Sequence, residues 1–390
     1  MTSWAARLQR RSEKSRSTIL ELLFDVVFVL ALTQLSHVLG DLSWRAVAQT
    51  LILLLPLSKI WAVTAEECDK FDSRQPQIQA LILGALLGTL LMAAAIPEAF
   101  AGRGLYFAGA YIATQFGSAG VLVLLLRGDE LQRAQVRRAF WFGLSAVPWI
   151  AGALLHGWAR LVLWALAAAV ENGAAMLRLP TPGLGRPRPT EDAYSAEHLA
   201  DRYRQFFTIA LGELILITGL TLDQTGFRVA SLAAALAAFA TTVLLWRIYY
   251  YTAGELETQA IAAVPGPANA RPVDYAHPVL VAAILAISVS YRFVIAHPLG
   301  RTSTAWIALI VGGPALFLAG RALLEYAVFS RVSWDRPVAI LVVVAIAISP
   351  AMILIPPLGA AATATLALAG VAVIDTVRGP RPRPQPARAR

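Results

Sequence analysis

One cysteine, Cys68, in 390 residues excludes an intramolecular disulfide and a cysteine-built zinc site. Charge is also scarce. Asp, Glu, Lys and Arg make up 15% of the chain, well below the roughly 25% of soluble domains, which excludes an ordinary soluble globular protein. Lysine is almost missing, with only Lys14, Lys59 and Lys70, so arginine carries nearly all the positive charge. That bias points to a GC-rich bacterial genome. There is no Walker loop, no H-E-x-x-H and no nucleophile elbow, so no enzyme motif stands behind a catalytic role. The acidic stretch "TAEECDKFDSR" lacks paired Cys/His spacing. No metal site and no cofactor are therefore expected.

What is present is apolar. Hydrophobic residues make up 57% of the chain and the mean hydropathy is +0.62. They gather in runs close to the ~20 residues that cross a bilayer. The fold class expected is all-α, a polytopic membrane protein. Spans are expected near 18–39, 46–63, 78–96, 105–126, 139–155, 161–177, 206–222, 229–250, 279–295, 305–320, 338–355 and 358–377. With loops assigned alternately to two sides, 26 of the 33 basic residues fall on one side and five on the other. Lys59 and Arg292 lie within spans. Such asymmetry predicts about twelve helices with both termini cytoplasmic. The basic start "RLQRRSEKSR" runs into a charged span without a small-residue cleavage site, so no cleaved signal peptide is expected. The tail "RGPRPRPQPARAR" is too rich in proline for a helix and suits anionic lipid headgroups rather than nucleic acid.

The chain also repeats itself. "KIWAVTAEE" at Lys59–Glu67 and "RIYYYTAGE" at Arg247–Glu255 share a pattern at an offset of 188, and the same offset carries Asp25 onto Glu213. Pro97 and Pro298, Pro148 and Pro350, and Glu171 and Asp375 pair at offsets of 201 to 204. Two parallel six-helix halves are expected, an arrangement found in transporters. Their boundaries are 1–178 and 204–377, with a cytoplasmic linker at 179–203 and a disordered basic tail at 378–390.

Charges within the spans are the candidate site. An ionisable group near the bilayer centre costs on the order of 2.5–3.5 kcal/mol on insertion scales, so it needs a partner or water. Glu21 and Asp25, one turn apart, share a face of the first span. Glu171, Glu213 and Asp375 extend the set. Lys59, Arg247 and Arg292 are the available charge partners, with Lys59 expected against Asp25 and Arg247 against Glu213. Carboxylates outnumber bases, which suits a hydrated path for a proton, cation or small solute. "GALLG" at Gly84–Gly88 marks close helix contact, and Pro148 is expected to kink its span.

"ELLFDVVFVLALTQLSHVL" resembles the opening signature of the bacterial low temperature requirement A family, E-L-F-F-D-L-V-F-V-F-x-x-T-Q-L, through Glu21, Phe24, Asp25 and Gln34. "HLADRYRQFFTIALGE" resembles a second family motif at His198, Arg202, Tyr203, Gly212 and Glu213, with Asp201 in place of the usual Glu. The resemblance covers nearly the whole chain. It implies a bacterial inner-membrane protein of a family named for growth in the cold. "DVVFVLALTQL" is more distantly similar to the first-helix motif of endolysosomal potassium channels, which are built from six-helix repeats. Phe24 replaces the serine of that motif, and Glu213 stands where its second aspartate would be. This second resemblance implies ion permeation. A membrane transporter or channel working through embedded carboxylates is the expected function. The alternative is a non-transporting stress factor or membrane enzyme whose carboxylates form structural ion pairs.

Overall fold

The computed structural model describes residues 18–187, 196–263, 270–329 and 354–377, with Leu8, Ile340, Ala345 and Ser349 as isolated positions. Its elements are α-helices: α1 Ile19–Leu39, α2 Trp44–Lys70, α3 Pro76–Ala95, α4 Gly104–Leu125, α5 Leu131–Leu154, α6 Trp158–Met176, α7 Ala196–Gln224, α8 Val229–Ala263, α9 Ala270–Ala296, α10 Thr304–Phe329 and α11 Pro357–Val377. No strand occurs among the described residues beyond an isolated bridge from Thr181 to Gly185. Nine of these helices are long and apolar enough to cross a membrane; α5 and α6 fall short because polar residues enter their sequences. The expected span at 338–355 lies almost wholly outside the described residues, as do Pro350 and the tail.

The chain divides into two compact units, the first comprising Met1–Arg202 and Pro265–Arg271 and the second Tyr203–Val264 and Pro272–Arg390. In the first, α1 packs on α2 and α3, α4 on α3 and α5, and α6 on α5 and α2. In the second, α8 packs on α10 and α11. Helix α1 is built inside out relative to a soluble helix. Glu21 and Asp25 are 0% and 3% exposed, while Val26 is 63% exposed. An apolar face turned outward and a charged face turned inward is what lipid requires.

Several helices outrun their expected spans. α2 continues to Lys70, α5 starts at Leu131, α7 at Ala196 and α9 at Ala270, while α8 runs to Ala263 and α10 to Phe329. All six extensions fall on the alternate loops that carry most of the basic residues. Hydropathy marks where hydrocarbon ends, not where hydrogen bonding ends. The 35 residues of α8 make a helix of about 52 Å at 1.5 Å per residue, well beyond a ~30 Å hydrocarbon core. Residues 196–203, expected as linker, are therefore the first turns of α7.

Close packing needs glycine at few places. A side chain at Gly88 would run into Thr114 of α4, whereas Gly84 has nothing near it, so only one glycine of "GALLG" makes a contact. Helix α5 passes through Pro148 without a break. Cys68 is fully buried.

Candidate functional site

The first polar cluster starts at the N-terminus of α1. Thr18 caps the helix, accepting from the Glu21 amide at 3.4 Å and donating to Glu21 Oε1 at 3.0 Å. This is the capping-box spacing, and a carboxylate in the first turn also opposes the helix dipole. Ser73, just after α2, donates to Glu21 Oε1 at 3.2 Å. One turn along, Asp25 takes a two-pronged bond from Arg202 of α7, with Nη1 to Oδ2 at 2.8 Å and Nη2 to Oδ1 at 2.9 Å. The Trp61 indole N–H donates to Oδ1 at 3.1 Å, and the guanidinium lies 5.5 Å from the Trp61 ring centroid. Parallel N–H···O bonds of this kind suit a planar guanidinium better than an ammonium.

His198 completes the cluster. Its Nε2 lies 3.4 Å from Glu21 Oε2 and its Nδ1 lies 3.3 Å from Asp69 Oδ1. Both ring nitrogens thus face carboxylates, so the ring bridges α1 and the end of α2. Arg202 Nε stands 3.8 Å from Glu21 Oε2. Two residues four apart on α1 thus meet two residues four apart on α7, all of them within the first unit. None of Glu21, Asp25, Asp69, His198 and Arg202 is more than 6% exposed.

Arg202, not Lys59, is the base on Asp25, which corrects the expected Asp25–Lys59 contact. Lys59 is one base of the α2 motif, and its field reaches Glu171 of α6 instead. The reason is helix pairing, since α2 packs on α6 and Lys59 stands on the side of that neighbour.

Glu171 occupies a different environment. Its Oε1 accepts from Ser145 Oγ at 2.7 Å and from the Trp149 indole N–H at 3.0 Å, and its Oε2 accepts from the Tyr111 hydroxyl. The side chain is buried. All three donors are neutral, and no basic group is within ion-pairing distance of Glu171 among the described residues. A third acidic group closes the end of α2, where Arg138 of α5 pairs with Glu66 and lies 3.6 Å from Glu67. Ser118 of α4 donates to Glu67 at 3.0 Å.

In the second unit, Glu213 is fully buried on α7. Arg247 of α8 donates to Thr376 Oγ1 of α11 at 2.9 Å, beside the half-buried Asp375. The second helix of each expected half therefore packs on the last helix of that half, α2 on α6 and α8 on α11. The aromatic of each repeated motif carries a polar bond: Trp61 to Asp25, and Tyr249 to His277 Nε2 at 3.0 Å. Arg292 lies 5.4 Å from the Phe293 ring centroid. Phe24 is buried edge-on to Phe28, Gln34 and Gly212 are half-buried, and a Cβ at Gly212 would meet nothing.

Sequence reasoning missed Trp61, Asp69, Ser73, Tyr111, Ser145 and Trp149 as site residues. Trp61 carried a signal because it fills the aromatic position of the repeated motif, and Asp69 and Ser73 lie in the acidic stretch "TAEECDKFDSR".

The two motifs that meet at Asp25 and Arg202 lie 177 residues apart in the chain, and a family comparison spans the positions of both. The family model "Bacterial low temperature requirement A protein (LtrA)" matches residues 16–373. An uncharacterized protein of Rhizobium meliloti (strain 1021) is 33% identical over 331 residues, covering 82% of this chain and 79% of that protein. No solved structure matches significantly. With nine membrane-length apolar helices among the described residues and a family match over nearly its full length, the chain is an integral, multi-pass membrane protein of the bacterial low temperature requirement A family.

Proposed function

We infer that the protein moves a small ion or solute across the bacterial inner membrane along embedded carboxylates. It does so through two parallel six-helix repeats, with both termini cytoplasmic. One observation carries the reading. Glu171 is buried in the first unit and held only by hydroxyl and indole donors. A charge kept for architecture is normally paired with an opposite charge. Among the described residues this one makes no ion pair and feels a basic group, Lys59, only through its field, which leaves it available to exchange a bound charge. The equivalent packing of α2 on α6 and of α8 on α11 supports the repeat.

Asp25 favours the second reading for its own cluster. The two-pronged Arg202 bond and the Trp61 indole satisfy its carboxylate, so Glu21, Asp25 and Arg202 serve as a structural joint between α1 and α7. The two roles are separable by flux. In proteoliposomes, Glu171→Gln is expected to reduce proton or monovalent-cation flux, while Asp25→Asn is expected chiefly to reduce the amount of folded protein. Wild-type vesicles that pass no protons, monovalent cations or small solutes under any imposed gradient would remove the permeation reading.

A further inference from the structure

We propose that the species exchanged at Glu171 is a proton, bound within the ring formed by Tyr111, Ser145 and Trp149. The inference rests on the permeation reading and deepens it by naming the ion. The cage is built for a carboxyl group that changes between two forms. As a carboxylate, Glu171 accepts three hydrogen bonds, from Ser145 Oγ, Trp149 Nε1 and the Tyr111 hydroxyl. As a carboxylic acid it must donate one, and a hydroxyl can turn from donor to acceptor while an indole cannot. Ser145 has the alternative ready, because its Oγ also reaches the Phe142 carbonyl oxygen at 3.1 Å. When a proton enters, the Ser145 hydrogen swings to that carbonyl, and the Ser145 oxygen accepts from Glu171. When the proton leaves to water, the bond reverses. No buried donor or acceptor is stranded in either form, which is where an unpaired group costs most.

The same geometry disfavours a metal cation. A hard cation needs a shell of some six oxygen lone pairs. The Trp149 N–H fills part of the carboxylate and presents a hydrogen instead. Glu171 is faced by the Tyr111 hydroxyl from α4 and by the field of Lys59 from α2. That positive field opposes an added proton as it opposes a metal ion, so the choice between them rests on the Trp149 N–H, which takes a coordination position from a metal but leaves room for a proton.

The test uses the full chain, purified and reconstituted, and infrared difference spectra between acid and alkaline buffers. Wild type is expected to show a carboxylic-acid C=O band that appears in acid. Glu171→Gln is expected to lose that band, and Ser145→Ala to keep it at a shifted frequency and pH midpoint. If Glu171→Gln does not fold, Ser145→Ala and Glu171→Asp carry the same readout by moving the band. Bands indistinguishable between wild type and these variants overturn the proposal. So does a wild-type band that sodium or potassium chloride abolishes while choline chloride leaves it intact. If the band titrates as expected but vesicles pass nothing, permeation falls and the proton site stands.

Discussion

Arg202 is worth more to Asp25 than its position in the sequence suggests. Both groups are almost fully removed from solvent and held by two parallel bonds of 2.8 and 2.9 Å. Removing one member of such a pair strands the other, at a cost of about 3–5 kcal/mol. Arg202→Met is therefore expected to lower the thermal midpoint in detergent sharply. Adding Asp25→Asn to Arg202→Met is expected to recover part of the loss, because an amide tolerates the vacated space better than a lone carboxylate. A double-mutant cycle measures the coupling, and simple additivity would show that the two do not act as partners. Lys59→Ala, combined with Asp25→Asn in the same cycle, is expected to show no coupling. The sequence contained every member of this pair and still concealed it. Glu21 and Asp25 announce themselves as charges in an apolar run, but Arg202 sits in "HLADRYRQFF", whose composition reads as linker. The family resemblance marks Arg202 and His198, and their spacing of four places them on one face, but neither signal ties that face to Asp25.

At the scale of helices, the turn between α5 and α6 is held by one guanidinium. Arg160 is buried and donates to the carbonyls of Ala99 at 2.7 Å, Ala101 at 2.8 Å, Ala153 at 3.0 Å, Gly152 at 3.1 Å and Leu155 at 2.9 Å. It satisfies carbonyls that the end of α5 leaves open. Trp164, one turn on, packs against Phe107 and Trp149 with ring centroids at 5.6 and 5.3 Å. Gly152 lies under that ring, and a Cβ there would come within 2.5 Å of Trp164 Cδ1. Because a packed indole cannot step aside, Gly152→Ala is expected to cost roughly 1–3 kcal/mol. Gly109→Ala, at an exposed helical position with open space, is expected to be neutral or slightly stabilising. Thermal denaturation of the two variants side by side checks the contrast. Helix existence was readable from hydropathy, because apolar runs of membrane length permit little else. Helix ends were not, since the turns of α2, α5 and α7 that project past the apolar runs look polar. The Glu171 cage was also hidden. Its carboxylate was visible, but Tyr111, Ser145 and Trp149 come from two other helices and follow no spacing rule that links them to position 171.

At the scale of the whole chain, the basic residues predict an orientation that experiment can read. Reporter fusions at either terminus are expected to report the cytoplasm, as is one within residues 180–187. A fusion in the short turn between α5 and α6 is expected to report the opposite side. Either terminus found outside would overturn the alternate assignment of loops.

The α1–α7 joint also has a history in time. Asp25 leaves the ribosome 36 residues before Trp61 and 177 before Arg202. At ~5–20 residues per second, the indole follows within about 2–7 s, and the guanidinium only after about 9–35 s. For that interval the nascent first helix carries an uncompensated acid, and the half-made protein is exposed to quality-control proteases. A chain stopped at residue 178 should be degraded in vivo, whereas one stopped at 210, which includes His198 and Arg202, should persist longer. Pulse-chase labelling of the two truncations decides the matter, and equal half-lives would mean that biogenesis does not wait on this bond.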